Sequence, residues 1–181
     1  MNANPDDLHS RSRLAGYDPD TLANAHVLVV GCGAVGQNLL LDLALSGVGA
    51  IAVVDHDTFE RHNATRSPFY PSPTELAVLG PNKATVAAHR LAALMTADNP
   101  EVRHRVATIQ QVGDAAIAWA DVVCSAVDNQ RGRAYLAERC RYLGVALVEV
   151  GFEGSSLNLG VFGPAMCNAC SAMRMTAPAG G

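Results

Sequence analysis

The sequence has few of the features that would place a chain in a membrane, outside the cell or on a nucleic acid. No apolar run reaches the roughly 18 residues that a membrane-spanning helix needs, and residues 1–7 lack the basic and apolar stretches of a secretory signal. Thirteen Lys and Arg against 17 Asp and Glu leave no excess of positive charge for nucleic acid or for anionic lipid. The five cysteines are an odd, scattered set, unlike a disulfide framework. We therefore expect a protein of the reducing cytoplasm that binds neither membranes nor nucleic acid.

What the chain does contain is the composition and patterning of one globular α/β domain. Hydrophobic residues make up 49% and charged residues 17% of 181 residues. Predicted strands at 26–30, 50–55, 102–109, 121–127, 145–150 and 157–162 alternate with predicted helices at 37–46, 82–97, 115–119 and 130–142. Such alternation predicts a Rossmann-like fold, with a mostly parallel sheet, helices on both faces and an antiparallel C-terminal edge. We divide the chain into an N-terminal arm (1–25), a nucleotide-binding domain (26–165) and a flexible tail (166–181).

A glycine loop follows the first strand, with the sequence Gly31-Cys32-Gly33-Ala34-Val35-Gly36. Gly31 permits a tight turn, Gly33 lets the backbone approach a phosphate, and Gly36 lets the next helix pack on the sheet. The N-terminus of that helix offers N–H groups to an anion. Asp55 lies 19 positions after Gly36, at the end of the second strand, where a carboxylate accepts hydrogen bonds from ribose. The pattern predicts nucleotide binding, and taken alone it favours NAD or FAD.

Polar residues around the long connection at 56–81 change that interpretation. The connection carries four prolines, and loops of this length are usually functional or disordered. Arg66 and Lys83 supply cations that suit β- and γ-phosphates, and Asn63 supplies a donor to a phosphate oxygen. Asp128 ends a later strand at the same edge of the sheet and is a natural magnesium ligand beside phosphates. Together these residues favour ATP with Mg²⁺ over a dinucleotide.

These residues form an ordered set of motifs that resembles the ThiF/MoeB/HesA family, the bacterial relatives of ubiquitin-activating enzymes. The resemblance covers roughly residues 10–170. The matching segments are 27–36, 54–57, 63–68, 80–84, 99–100, Asp128-Asn129 with Arg133, and Cys167-Asn168-Ala169-Cys170. An ordered set of this kind is more specific than the glycine loop alone.

The resemblance implies a reaction and a partner. Such enzymes use ATP and Mg²⁺ to attach AMP to the C-terminal carboxylate of a small ubiquitin-like or sulfur-carrier protein. It implies that Asp55 and Asp57 belong to the nucleotide site, and that Asp128 holds the metal. It also implies a homodimer in which an N-terminal arginine, best matched by Arg11, completes the partner's site.

The sequence departs from the family near its C-terminus. Cys167 and Cys170 form only half of the four-cysteine zinc site that many members have, because no second pair follows. The segment that usually carries a substrate-accepting cysteine is also missing, so we expect adenylation without a thioester step. Two alternatives stay open: an NAD-dependent oxidoreductase, and a non-catalytic partner subunit or truncated fragment of an activating enzyme.

Overall fold

A six-stranded sheet forms the centre of the fold. The computed structural model describes residues 8–153 and 156–163. The strands are β1 (His26–Val30), β2 (Ala50–Val54), β3 (Glu101–Arg105), β4 (Val122–Ser125), β5 (Ala146–Glu153) and β6 (Ser156–Phe162). Their order across the sheet is β3-β2-β1-β4-β5-β6. Strands β1 to β5 run parallel, and β6 pairs antiparallel with β5, so both the parallel sheet and its antiparallel C-terminal edge are confirmed.

Helices cover both faces of this sheet. They are α1 (Ser10–Leu14), α2 (Pro19–Ala23), α3 (Ala34–Leu45), α4 (Pro73–Leu79), α5 (Lys83–Leu94), α6 (Ile109–Val112), α7 (Asp114–Trp119), α8 (Gln130–Leu143) and a 3-10 helix (Arg61–Thr65). One core packs α3 and α5 on the sheet through Leu40, Leu91 and Ile51. The other packs α7 and α8 on the opposite face through Ile117, Leu136 and Leu28. Since β1, β2 and β4 are buried from two sides, their sequences are nearly continuous apolar runs, whereas the edge strand β3 is polar and partly exposed.

The topology opens a crevice beside the glycine loop. From β1 the chain moves outward through β2 to β3, and then crosses back to β4 on the other side of β1. Loops that leave β1 and β4 therefore diverge to opposite faces, and ligands of open parallel sheets bind at such a switch point. The glycine loop that follows Val30 begins there.

Three local predictions need correction. The strand predicted at 102–109 ends at Arg105, because Thr108 and Gln111 form a capping box and start α6 at Ile109. Helix α3 begins at Ala34, three residues before the prediction. The connection at 56–81 is not a structureless loop, because it contains the 3-10 helix and α4. Helix α4 starts where Ser72 caps it and Pro73 takes the first position.

The structure describes most of the N-terminal arm but none of the predicted C-terminal tail. The short helices α1 and α2 lie within the described part of the N-terminal arm. Cys167, Cys170 and the rest of the segment 166–181 lie outside the described residues, so the tail and the division into domains stay predictions. Among the described residues, no helix is long and apolar enough to cross a membrane.

Candidate functional site

A cavity of about 680 Å³ lies at the carboxyl edge of the sheet, within the size range of small-molecule sites. It brings together nearly all the residues singled out from the sequence. Those that line it are Gly31, Gly33, Ala34, Val35, Asp55, Asp57, Asn63, Arg66, Lys83 and Asp128. Gly36 lies beneath the loop instead of on the cavity wall. Arg11 lies in α1, and its side chain is outside what the structure describes.

A side chain at each of the three glycines would have a different steric consequence. Gly31 has a φ of +94°, and a Cβ there would lie 2.6 Å from the carbonyl oxygen of Ala126. A Cβ on Gly36 would overlap the carbonyl oxygen of Gly31. At Gly33, by contrast, a Cβ would meet nothing within 4 Å. Two glycines thus close the turn against the sheet, and the third leaves bare backbone on the cavity, which suits the close approach of a phosphate.

The N-terminus of α3 supplies hydrogen-bond donors to this wall of the cavity. The helix begins at Ala34, directly after Gly33, and no side chain caps it. An uncapped first turn leaves N–H groups without intrahelical partners and a partial positive charge. Since Ala34 and Val35 line the cavity, an anion bound here meets those donors.

Asp55 joins the glycine loop to the end of β2. Its carboxylate is 7% exposed and accepts hydrogen bonds from the N–H groups of Cys32, at 2.5 Å, and Asp57, at 2.7 Å. Each carboxylate oxygen has lone pairs left to accept from a ligand. Burial raises the pKa of the Cys32 thiol far above its usual range, and the negative charge of Asp55 raises it further. Cys32 is therefore a neutral packing residue in the loop.

Lys83 is held at the start of α5 by an ion pair. Its ammonium lies 2.9 Å from Oδ2 of Asp57, and its side chain is only 12% exposed. Two backbone hydrogen bonds keep the neighbouring segments together, from Phe59 N to the Pro81 carbonyl and from Lys83 N to the Asp57 carbonyl. The lysine thus reaches the cavity in a defined position at the end of β2.

The 3-10 helix presents Asn63 and Arg66. Asn63 is 5% exposed, and its side-chain oxygen accepts a hydrogen bond from the backbone of Glu60. Its amide nitrogen has no hydrogen bond within the described residues, which leaves it able to donate into the cavity. Arg66 follows the helix, is exposed, and has no ion pair with any described residue.

Two exposed side chains of opposite charge, Asp128 and Arg131, line the cavity after the end of β4. Asp128 is exposed on the cavity, and Asn129 caps α8 by accepting a hydrogen bond from Gly132 N at 2.7 Å. Arg131 also lines the cavity and is exposed. Arg131 was not predicted from the sequence, since no motif marks it. Nor was the wall formed by Thr108 and Gln111, which their capping-box pattern identifies as a helix start.

The predicted metal ligand, Asp128, does not lie in a cluster of ligands. Among the described residues, the one group of three close acid or histidine side chains is Asp55, His56 and Asp57, whose ligand atoms lie within 4.8 Å of one another. Three carboxylate oxygens in that group already accept hydrogen bonds, from the N–H groups of Cys32 and Asp57 and from the Lys83 ammonium. Asp128 has no such partner within the described residues, so a bound nucleotide would have to supply the other oxygens to a metal.

Comparisons with known proteins agree with this fold. The model of the ThiF family matches residues 10–179. Ubiquitin-activating enzyme E1 1 of Arabidopsis thaliana is 36% identical over 76% of this chain, and the SAMP-activating enzyme E1 of Haloferax volcanii is 33% identical over 82%. The structure of E. coli MccB with ATP shares the fold, with a TM-score of 0.73 and 22% identity over 88% of this chain.

The match covers only part of each relative. The chain spans 13% of the Arabidopsis enzyme, 54% of the archaeal enzyme and 50% of the MccB chain. The match extends over most of this protein. On the strength of the family match across residues 10–179, the chain belongs to the ThiF family.

Proposed function

We propose that this protein uses ATP and Mg²⁺ to adenylate the C-terminal carboxylate of a small ubiquitin-like or sulfur-carrier protein. One observation carries the proposal. Five polar side chains from four separate segments converge on one cavity around an uncapped helix N-terminus: Asp55, Asn63, Arg66, Lys83 and Asp128. A nicotinamide dinucleotide does not need two cations and an amide donor beside its phosphates, whereas a triphosphate does.

The order of the strands gives the bound nucleotide a direction. Along the carboxyl edge, the cavity is lined in turn by the segment after β3, Asp55 after β2, the glycine loop after β1, and Asp128 after β4. Ribose at Asp55 and phosphates at the loop place the base against Thr108 and Ile109. The α-phosphate then lies between the loop and the end of β4, where the attacking carboxylate enters.

The reaction needs positioned charge more than a basic residue. A carboxylate oxygen of the carrier attacks the α-phosphorus, the bond from that phosphorus to the bridging oxygen breaks, and pyrophosphate leaves. Arg66 and Lys83 stabilise the charge that develops on the leaving pyrophosphate, and the N–H groups of α3 stabilise the phosphoryl oxygens. Mg²⁺ held by Asp128 would neutralise further phosphate charge. No enzyme nucleophile takes part.

Arg131 is suited to receive the carboxylate. It is exposed on the cavity, three residues after Asp128, and no described residue neutralises it. A guanidinium binds a carboxylate through two parallel hydrogen bonds, which orient as well as attract it. We place the carrier's C-terminus at this end of the site, with Arg131 steering it toward the α-phosphate.

The proposal includes a homodimer in which Arg11 contributes to the active site. As the family resemblance implies, we propose that it reaches the nucleotide site of the partner subunit. Mixing Arg11→Ala and Lys83→Ala tests this, because random exchange gives hybrids with one intact site and restores about a quarter of wild-type activity. If Arg11 instead serves its own subunit, the hybrids have no intact site and the mixture stays inactive.

Carrier-dependent exchange of labelled pyrophosphate into ATP tests the reaction directly. Ubiquitin-fold proteins that end in Gly-Gly serve as the carrier panel, and the same carriers with the last glycine deleted are the control. We expect exchange with at least one intact carrier and none with its truncated form. ATP binding without exchange by any carrier would favour a non-catalytic subunit, and NADH binding without ATP binding would favour an oxidoreductase.

A further inference from the structure

Gln37 is a fully buried polar residue in α3 that no role in the site yet explains. It is 0% exposed and lies among Gly36, Leu40 and Ala44 on the face of α3 that packs into the core. A buried amide costs free energy unless its hydrogen bonds are satisfied. A core position of this kind normally holds an apolar residue, so a glutamine here needs a structural explanation.

The side chain of Gln37 joins two separate loops of the site. Its Nε2 donates to the carbonyl oxygen of Cys32 at 2.8 Å, within the glycine loop. Its Oε1 accepts from the backbone N–H of Phe69 at 3.0 Å, in the segment that follows the 3-10 helix. Both bonds are buried, where hydrogen bonds are strong and water does not compete.

Those two loops carry the proposed phosphate ligands. Cys32 lies between Gly31 and Gly33 of the glycine loop, and Phe69 lies three residues after Arg66. Phe69 is 3% exposed and packs in the core beside α3, so this end of the segment is fixed. The distance from the glycine loop to Arg66 is therefore set through one buried side chain.

We propose that Gln37 is a positioning residue that fixes Arg66 relative to the glycine loop, so that the site binds a triphosphate in preference to a monophosphate. This inference rests on the proposed ATP site. AMP contacts the loop and Asp55 without needing Arg66. ATP extends past the loop, and the guanidinium must lie within about 3 Å of its terminal phosphates.

The test compares ATP and AMP affinities of Gln37→Met, measured by calorimetry. Methionine fills a similar volume and makes neither hydrogen bond. We expect the affinity for ATP to fall about tenfold, in line with the cost of a misplaced ligand, while the affinity for AMP changes less than about twofold. Gln37→Asn, which is one methylene shorter and reaches at most one partner, serves if the methionine variant does not fold.

Two controls separate positioning from general destabilisation. Leu40→Ala alters the same buried face of α3 one turn later, and we expect it to lower stability without changing the ratio of ATP to AMP affinity. Combining Gln37→Met with Arg66→Ala should weaken ATP binding no further than Arg66→Ala alone, because Gln37 affects ATP binding only by positioning Arg66.

Additive losses in the double variant, or equal losses for ATP and AMP, would overturn the inference. Both outcomes would mean that Gln37 supports the fold without setting the position of Arg66. If the wild-type protein itself binds no ATP, the proposed function fails instead, so the two ideas are distinguished by the same set of titrations.

Discussion

The cavity contains two groups of polar side chains that differ in how they are fixed. We call Asp55, Asn63 and Lys83 the held side chains, because each is hydrogen-bonded or ion-paired to another described residue and is at most 12% exposed. We call Arg66, Asp128 and Arg131 the free side chains, because each is exposed and has no such partner among the described residues. Asp55 lies at the end of β2, Lys83 at the start of α5 and Asn63 in the 3-10 helix, whereas Arg66 follows that helix and Asp128 and Arg131 follow β4.

The difference indicates how binding energy is divided across the site. Held side chains keep their geometry before the nucleotide arrives, so little entropy is lost when they bind ribose and phosphate. Free side chains acquire partners only from the ligand, and their charges are stabilising only once phosphates and carboxylate are present. Substitutions in the held group should therefore affect both folding and ligand binding, while those in the free group should affect ligand binding and the reaction but not folding.

The largest effect is expected from Asp55→Ala. The change leaves the N–H groups of Cys32 and Asp57 without their acceptor, and hydrogen bonds to a charged group contribute about 1.5–3 kcal/mol each. We expect the free energy of unfolding to fall by about 3 kcal/mol and ATP binding to be lost. Urea denaturation and calorimetric titration measure the two effects. Unchanged stability would show that Asp55 does not belong to the held group.

Arg66→Ala should abolish most of the activity while the fold is unaffected. The side chain is exposed, so stability should change by less than about 0.5 kcal/mol. Loss of a cation at the phosphates should lower carrier-dependent pyrophosphate exchange about 100-fold. Arg61→Ala is the matched control, since Arg61 begins the same 3-10 helix, is exposed, and does not line the cavity. Equal losses in both variants would remove Arg66 from the site.

A smaller and more selective effect is expected from Arg131→Ala. If Arg131 binds the carrier's carboxylate, the KM for the carrier should rise about tenfold, with the KM for ATP unchanged. Arg131→Lys should recover part of the loss, because it keeps the charge without the paired hydrogen bonds. A rise in the KM for ATP instead would assign Arg131 to the phosphates.

The smallest effect concerns the pH dependence of stability. Burial raises the pKa of Cys32 well above its ordinary value of 9.0, and raises those of Cys124 and Cys140 to about 11. Folded thiols thus stay protonated where unfolded thiols ionise, so stability is intact below pH 9 and falls as the pH rises above it. Urea denaturation between pH 7 and pH 10 measures this decline, and Cys32→Ala should make it shallower. A decline of unchanged slope in the variant would contradict the assignment.

Much of the fold could be predicted because its signals are local. Strand β1, the glycine loop and the position of Asp55 depend on short apolar runs, on glycine sterics and on a fixed spacing. Helix α4 was not predicted, although Ser72, Pro73 and Glu75 form a local signal for a helix start.

The contacts that complete the site could not be predicted in the same way. Lys83 pairs with Asp57, 26 positions away, and Gln37 bonds to Phe69, 32 positions away. Neither pair has a sequence pattern, because packing of α5 and of the 3-10 helix against the sheet brings their atoms together. Most of the polar residues of the cavity were thus predictable, whereas Arg131 and the division into held and free groups required the structure.

Titration of the purified protein with ATP, with and without Mg²⁺, tests the central claim most directly. We predict saturable binding of ATP that is strengthened by Mg²⁺, that weakens in Arg66→Ala, and that is not displaced by NADH. Binding of NADH with no binding of ATP would contradict the assignment of this cavity to a triphosphate.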